Sequence, residues 1–151
     1  FSNSMRLDLV INIYIYKIMN NEKIIIDGDG KQWRPFISLS DICGIYHYIL
    51  KRKKFPSFIC NLVSFNSTIK TMAKKIANVF GINENLILYN KSNYDKRNYK
   101  VGSKIFKKYF KNFKFSDFSK EVINMKQKMK FFKIKQNAKT VRMLYYKKLF
   151  T

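Results

Sequence analysis

The feature that most constrains this chain is a β-branched run that stops abruptly. Lys23-Ile24-Ile25-Ile26-Asp27 reads as a short strand, and Asp27-Gly28-Asp29-Gly30 supplies the glycines of a tight turn behind it. Trp33 to Leu39 is then a second extended segment. Ser40-Asp41 offers an N-cap, and Ile42, Ile45, Tyr46, Ile49 and Leu50 form a helical stripe that ends in the solvated run Lys51 to Lys54. Strand, turn, strand and helix in this succession commit the chain to mixed α and β structure.

The flanking segments extend the pattern. Upstream, Leu7, Val10, Ile11, Tyr14, Ile15 and Ile18 fit a helical face, while Leu7, Leu9, Ile11, Ile13 and Ile15 fit alternation equally well, so periodicity leaves Arg6 to Asn20 open between helix and strand. Downstream of Pro56, Phe58 to Val63 reads as a buried strand. Ser67 or Thr68 caps a helix carrying Ile69, Met72, Ala73, Ile76, Val79 and Phe80, and Gly81 stands where a left-handed C-terminal residue belongs. Asn85 to Tyr89 is expected to be a strand, followed by a polar loop, Asn90 to Asn98, and a short extended Tyr99-Lys100-Val101. Helices are expected over Ser103 to Phe110 and from Asp117 to about Lys130, the second with Phe118, Val122, Met125 and Met129 on one face. Thr140 to Leu149 is amphipathic by composition, with its type left open. There is no internal repeat, and the class is α+β or α/β.

Length, charge and cysteines bound the function. At 151 residues the chain is one ordinary domain or part of a larger one. Its 46% hydrophobic content excludes wholesale disorder. The longest uncharged, mainly apolar run, Leu9 to Tyr16, is far below the roughly 20 residues that span a bilayer, so no membrane partner is expected. The Phe1-Ser2-Asn3-Ser4 start lacks an initiator Met and any signal pattern, and is expected to be a cut through a longer sequence. A net charge of +22 suggests nucleic acid or an acidic surface. Only five of the 31 basic residues are arginine, however, and lysines occupy almost every segment after Lys17, the pattern of an AT-rich coding sequence. Cys43 and Cys60 form neither a CxxC nor a Cys/His cluster, so a reduced, cytoplasmic protein without structural zinc is expected.

Few motifs carry chemistry by themselves. The third glycine of a dinucleotide loop opened by Gly28 and Gly30 would fall at Trp33, and no Walker loop exists. His47, the only histidine, has Cys43 one helical turn before it but no further cysteine or carboxylate to complete a ligand set, and reads as an ordinary core or surface residue. Arg34 stands beyond the glycine turn, between Trp33 and Pro35. Arg97 lies in Asp95-Lys96-Arg97-Asn98-Tyr99, where an Asp can orient the guanidinium and a Tyr can stack on a base or sugar.

The spacing of these pieces is more specific than any one of them. Arg6-Leu7-Asp8-Leu9-Val10-Ile11-Asn12 comes first, then Gly28-Asp29-Gly30-Lys31-Gln32-Trp33-Arg34-Pro35-Phe36-Ile37 with Asp41 behind it. Cys60-Asn61-Leu62-Val63-Ser64, Asn66-Ser67-Thr68-Ile69 and Asp95 to Tyr99 follow. In order and distance the set resembles the extended short-chain dehydrogenase/reductases, the NAD-dependent epimerases and dehydratases of nucleotide sugars. The resemblance covers nearly the whole chain, 1–151, but only the C-terminal half of the family's. It implies an α/β fold, the small substrate-binding lobe plus the last elements of a Rossmann-type domain, with Phe58 to Val63 adding to its sheet and the N-terminal NAD-binding half missing.

That missing half carries the family's glycine-rich NAD loop and the Tyr-x-x-x-Lys pair, and none of the ten tyrosines here has Lys four residues on. The resemblance therefore implies no catalytic, cofactor-binding or metal-binding residue in this chain, with NAD belonging only to a full-length protein. By matching position, Asn12 resembles the asparagine that contacts the nucleotide diphosphate, Arg34 and Arg97 the two arginines that clamp it, and Asn66 a further polar contact near the nucleotide. The implied partners are a nucleotide-diphosphate sugar and the missing Rossmann half, which leaves an apolar surface exposed. Ser38 replaces a frequent histidine of the family, and Asn61-Leu62-Val63-Ser64 lacks its glycine. Two other readings stand beside this one: a small basic protein that binds nucleic acid without sequence preference, and a non-catalytic remnant.

Overall fold

A computed structural model describes residues 5–91, 97–137 and 140–141 of the chain. The elements follow as α1 (Val10–Met19), β1 (Ile24–Asp27), β2 (Trp33–Phe36), α2 (Leu39–Leu50), β3 (Phe65–Thr68), α3 (Ile69–Val79), β4 (Ile87–Asn90), α4 (Lys104–Tyr109) and α5 (Phe118–Phe131). The class is α/β. β1 and β4 pair in parallel with Ile24 opposite Ile87, α3 lying between them in sequence, and β2 and β3 pair antiparallel with Trp33 opposite Thr68.

α3 is the organising helix. Ile69, Met72, Ala73, Ile76 and Ala77 recur at the spacing of one helical face and are all buried. The Thr68 hydroxyl accepts the Thr71 N–H at 3.1 Å, and Gly81, with φ +63°, turns the chain out at the other end. Against this face pack Ile24 and Ile26 of β1, Tyr14, Ile15 and Ile18 of α1, and Val122 and Met129 of α5. The segment left open by periodicity is thus a helix, because its Tyr14, Ile15 and Ile18 side is where the main core has room. Gly30 is fixed by the same packing. Its φ is +69°, and a Cβ there would lie 3.0 Å from both Ile26 Cγ2 and Lys70 Cβ.

A second, aromatic cluster joins α2 to α4. Ile45, Phe106 and Phe110 are buried there, flanked by Tyr48, Phe55, Phe58 and Phe113. Phe58 stacks on Tyr109 with ring centroids 4.2 Å apart.

Three expectations about elements need correction. Phe58 to Val63 is not a strand. Alternate side chains Phe58, Cys60 and Leu62 turn into the aromatic cluster while Ile59 is 93% exposed, but among the described residues no main-chain hydrogen bond reaches this segment, because Phe65–Thr68 occupies the paired edge of β2. The cap of α2 is Ser38, whose hydroxyl accepts the Asp41 N–H at 2.9 Å, rather than Ser40-Asp41. Asp41 instead bridges outward, its carboxylate accepting the Ser116 N–H at 2.8 Å. Asn85 and Leu86, expected to open a strand running to Tyr89, belong instead to a 3-10 turn, Glu84–Leu86, and the strand begins at Ile87. The amphipathic Thr140 to Leu149 lies outside the described residues beyond position 141.

Candidate functional site

The site forms where β2 meets the chain that returns after the polar loop. The Trp33 N–H donates to Asn98 Oδ1 at 2.9 Å, and the Tyr99 N–H reaches the Trp33 carbonyl at 3.4 Å. Asn66 on β3 closes the other side with a two-way amide bridge. Its Nδ2 donates to the Val101 carbonyl at 3.0 Å and its Oδ1 accepts the Val101 N–H at 2.9 Å. Residues 97–101 are thereby stitched to the sheet by two side-chain amides, with no ladder of their own.

Arg34 is held at the centre of this seam. Its Nη1 donates to the Trp33 carbonyl at 2.7 Å and to the Arg97 carbonyl at 2.6 Å, and its guanidinium lies 5.2 Å from the Tyr99 ring centroid. Lys100 Nζ sits 3.7 Å from the Trp33 ring centroid. The charged ends of Arg34 and Lys100 and the main chain of Arg97 therefore meet at one seam. The structure thus unites Arg34 and Arg97 across 63 positions. Asp95 and Tyr94 lie outside the described residues.

Arg34 also walls a cavity of about 170 Å³ together with Asp8, Val10, Ile13, Tyr14, Ile25, Asp27, Gln32 and Ile69. Burial, reinforced by the Asp27 carboxylate, pushes the Tyr14 phenol above its ordinary range, so that wall presents a neutral hydroxyl. Gln32 is buried and donates to the Asp27 carbonyl at 3.1 Å. Asp8 is held in a two-point pair with Arg6, at 2.7 and 2.9 Å. Position in the sequence did not single out Tyr14, Gln32 or Asn98. Gln32 and Asn98 each lie within two residues of a chosen arginine, and that proximity is the one signal available.

Asn12 is placed elsewhere. It donates to the Arg6 carbonyl at 2.7 Å and lines a separate cavity of about 390 Å³ between α1, the start of α2 and α5, with Arg6, Ser38, Asp41 and Glu121 among its polar groups. The four residues expected at one site thus divide: Arg34, Arg97 and Asn66 share the seam, and Asn12 stands on the far side of the first turns of α1.

Two possible cofactor features can be tested directly. Gly28 (φ +75°) and Gly30 link β1 to β2, whereas a dinucleotide loop leads a strand into a helix N-terminus, so this turn does not fit NAD. Among the described residues no three His, Cys, Asp or Glu side chains gather as a metal site, and no helix is long and apolar enough to cross a membrane.

No family model and no curated protein matches the sequence. Solved structures do. A dTDP-glucose 4,6-dehydratase from Bacillus anthracis, in complex with NAD, matches 92% of this chain at 17% identity with a TM-score of 0.66, over 43% of its own length. The UDP-glucose 4-epimerase of Thermotoga maritima, with UDP-glucose, matches 82% at 15% identity and a TM-score of 0.65, over 40% of its length. A UDP-N-acetylglucosamine 4-epimerase from Methanobrevibacter ruminantium matches 79% at 22% identity and a TM-score of 0.59, over 38% of its length. The chain thus has the fold of part of these dehydratase and epimerase structures. The chain spans about two fifths of the structures it matches, and at these identities the likeness is one of fold.

Proposed function

We propose that this chain is the nucleotide-sugar-binding, C-terminal portion of an NAD-dependent epimerase or dehydratase, inactive by itself. The observation that carries the reading is the Arg34–Arg97 junction beside a cavity. A planar guanidinium can bind phosphate oxygens at two points, and Arg34, by gripping the Arg97 carbonyl beside the cavity, brings the segment that carries a second arginine next to it. In this reading Arg34 and Arg97 clamp the diphosphate, and the nucleoside enters the neighbouring cavity. Asn66 holds the segment that carries Arg97, with one amide N–H and one lone pair left for substrate. Asn12 reaches the ligand only where it passes the N-terminus of α1.

NAD, the proton-transferring Tyr-x-x-x-Lys pair and hydride chemistry belong to an N-terminal half that completes the fold. Leu39, Tyr46 and Leu50 on α2, together with Ile59, are exposed apolar side chains that such a half would cover. The protein is expected to work in the cytoplasm. Calorimetric titration of UDP-glucose and dTDP-glucose into the chain joined to an N-terminal half bearing both motifs tests the proposal. Binding that Arg34→Ala weakens supports it, and indifference of both sugars to that change overturns it.

A further inference from the structure

The C-terminal end of α5 puts a lysine where two other helix ends put asparagine and glycine. α1, α3 and α5 all finish in the same reversal, in which a residue of positive φ follows the helix and the next N–H returns to a carbonyl five residues back. α1 uses Asn21 (φ +56°) and α3 uses Gly81 (φ +63°), the two residue types that tolerate this conformation. α5 uses Lys133 (φ +47°). Its N–H donates to the Lys130 carbonyl at 3.2 Å, and the Ile134 N–H reaches the Met129 carbonyl at 3.1 Å.

The reversal sorts the side chains. Met129 is buried and Ile134 packs against the main core, which leaves Phe131 and Phe132 facing outward, 79% and 47% exposed, with ring centroids 4.9 Å apart and planes at 81°. Lys128, Lys130, Lys133 and Lys135 are exposed around them and form no ion pair among the described residues. Lys126 is drawn off to the Phe80 ring, 4.6 Å from its centroid. No acidic residue occurs in the sequence after Glu121.

We propose that this end of α5 is a peripheral docking surface for an anionic lipid bilayer. Phe131 and Phe132 enter the boundary between headgroups and acyl chains, and the four lysines lie over the lipid phosphates. Charge complementarity selects the anionic surface, and the two rings, held outward by a rigid turn, supply the apolar contact. Single-stranded nucleic acid fits less well, because rings at 81° do not offer parallel faces to successive bases and the patch contains no arginine. The sequence-based expectation of no membrane partner rested on the lack of a spanning segment, which a surface patch does not need.

Co-sedimentation of the 151-residue chain with vesicles tests the proposal. The chain should bind phosphatidylcholine vesicles containing about a third phosphatidylglycerol, not pure phosphatidylcholine, at about 0.15 M salt. The double change Phe131→Ser and Phe132→Ser should weaken binding about tenfold or more. Lys133→Gly should act in opposite directions, raising the melting temperature by relieving the left-handed lysine while weakening vesicle binding about fivefold. A charge-matched control on α4, Lys104→Gln with Lys107→Gln, should weaken binding less than Lys130→Gln with Lys133→Gly. Equal losses from the two pairs would assign the binding to diffuse charge and overturn the proposal. So would binding to polyuridylate that depends on the two phenylalanines while vesicle binding does not.

Discussion

Replacing Arg34 by alanine tests the site most directly, because its guanidinium serves both the protein and the proposed ligand. Within the protein it donates to the Arg97 carbonyl at 2.6 Å and lies 5.2 Å from the Tyr99 ring centroid, so the change removes a charge-assisted hydrogen bond and a cation–π contact. These are worth about 1.5–3 and 0.5–1 kcal/mol respectively. Hydrogen exchange should therefore quicken at Asn98 and Tyr99, whose anchors to Trp33 remain but whose central pin is gone. Toward the ligand, losing a charged donor to diphosphate costs about 1.5–3 kcal/mol, a rise in Kd of about ten- to 150-fold in the chain joined to its N-terminal half. Arg97→Ala separates the two effects, since it keeps the main-chain carbonyl that Arg34 grips and removes only the second guanidinium. It should raise Kd over the same range. Lysine at either position should recover part of the loss, because a point charge cannot reproduce the planar fork. Calorimetry with UDP-glucose and dTDP-glucose reads both variants. Unchanged Kd in Arg34→Ala and Arg97→Ala would refute the clamp, whatever happened to exchange rates.

Three other outcomes follow from the structure. Gly30→Ala should cost about 2–4 kcal/mol in urea unfolding, from its positive φ and a Cβ 3.0 Å from Ile26 and Lys70, whereas Gly81→Ala, with nothing within 4 Å, should cost only about 1–2 kcal/mol. Equal costs would show that packing against Lys70 is not what fixes Gly30. Tyr14 ionises harder folded than unfolded, so the unfolded chain loses its proton first. Stability should be intact below about pH 10 and fall as pH rises above it, and Tyr14→Phe should flatten that alkaline limb in urea titrations. Binding of the chain to DNA or RNA, measured by filter retention, should be weak, indifferent to sequence and lost steeply as salt rises, and a preferred sequence at physiological salt would favour the nucleic-acid reading.

What the sequence determined by itself is local. The α3 face with a cap at Ser67 or Thr68 and its Gly81 exit, the β1 run with its glycine turn, and the start of α5 at Asp117 depend on neighbours within one helical turn or one tight turn, and residue type suffices to specify them. Arg34 and Arg97 were paired only by the family resemblance of the motifs around them, and the structure brings the Arg34 guanidinium to the Arg97 carbonyl. Tertiary structure decided whatever depends on a distant partner. Leu7 to Ile15 satisfies both periods, and only the room beside α3 and α5 makes it a helix. Phe58 to Val63 has the composition of a strand, yet a strand is a property of two segments, and β2 gives its edge to Phe65–Thr68. Asn12 and Arg34 belong together in motif order, but α1 stands between them once it folds, and each faces its own cavity. Asn66 and Val101, and Arg34 and the Arg97 carbonyl, meet only because β2 and β3 form a surface against which the returning chain is pinned by side chains, a geometry that residue spacing alone does not contain.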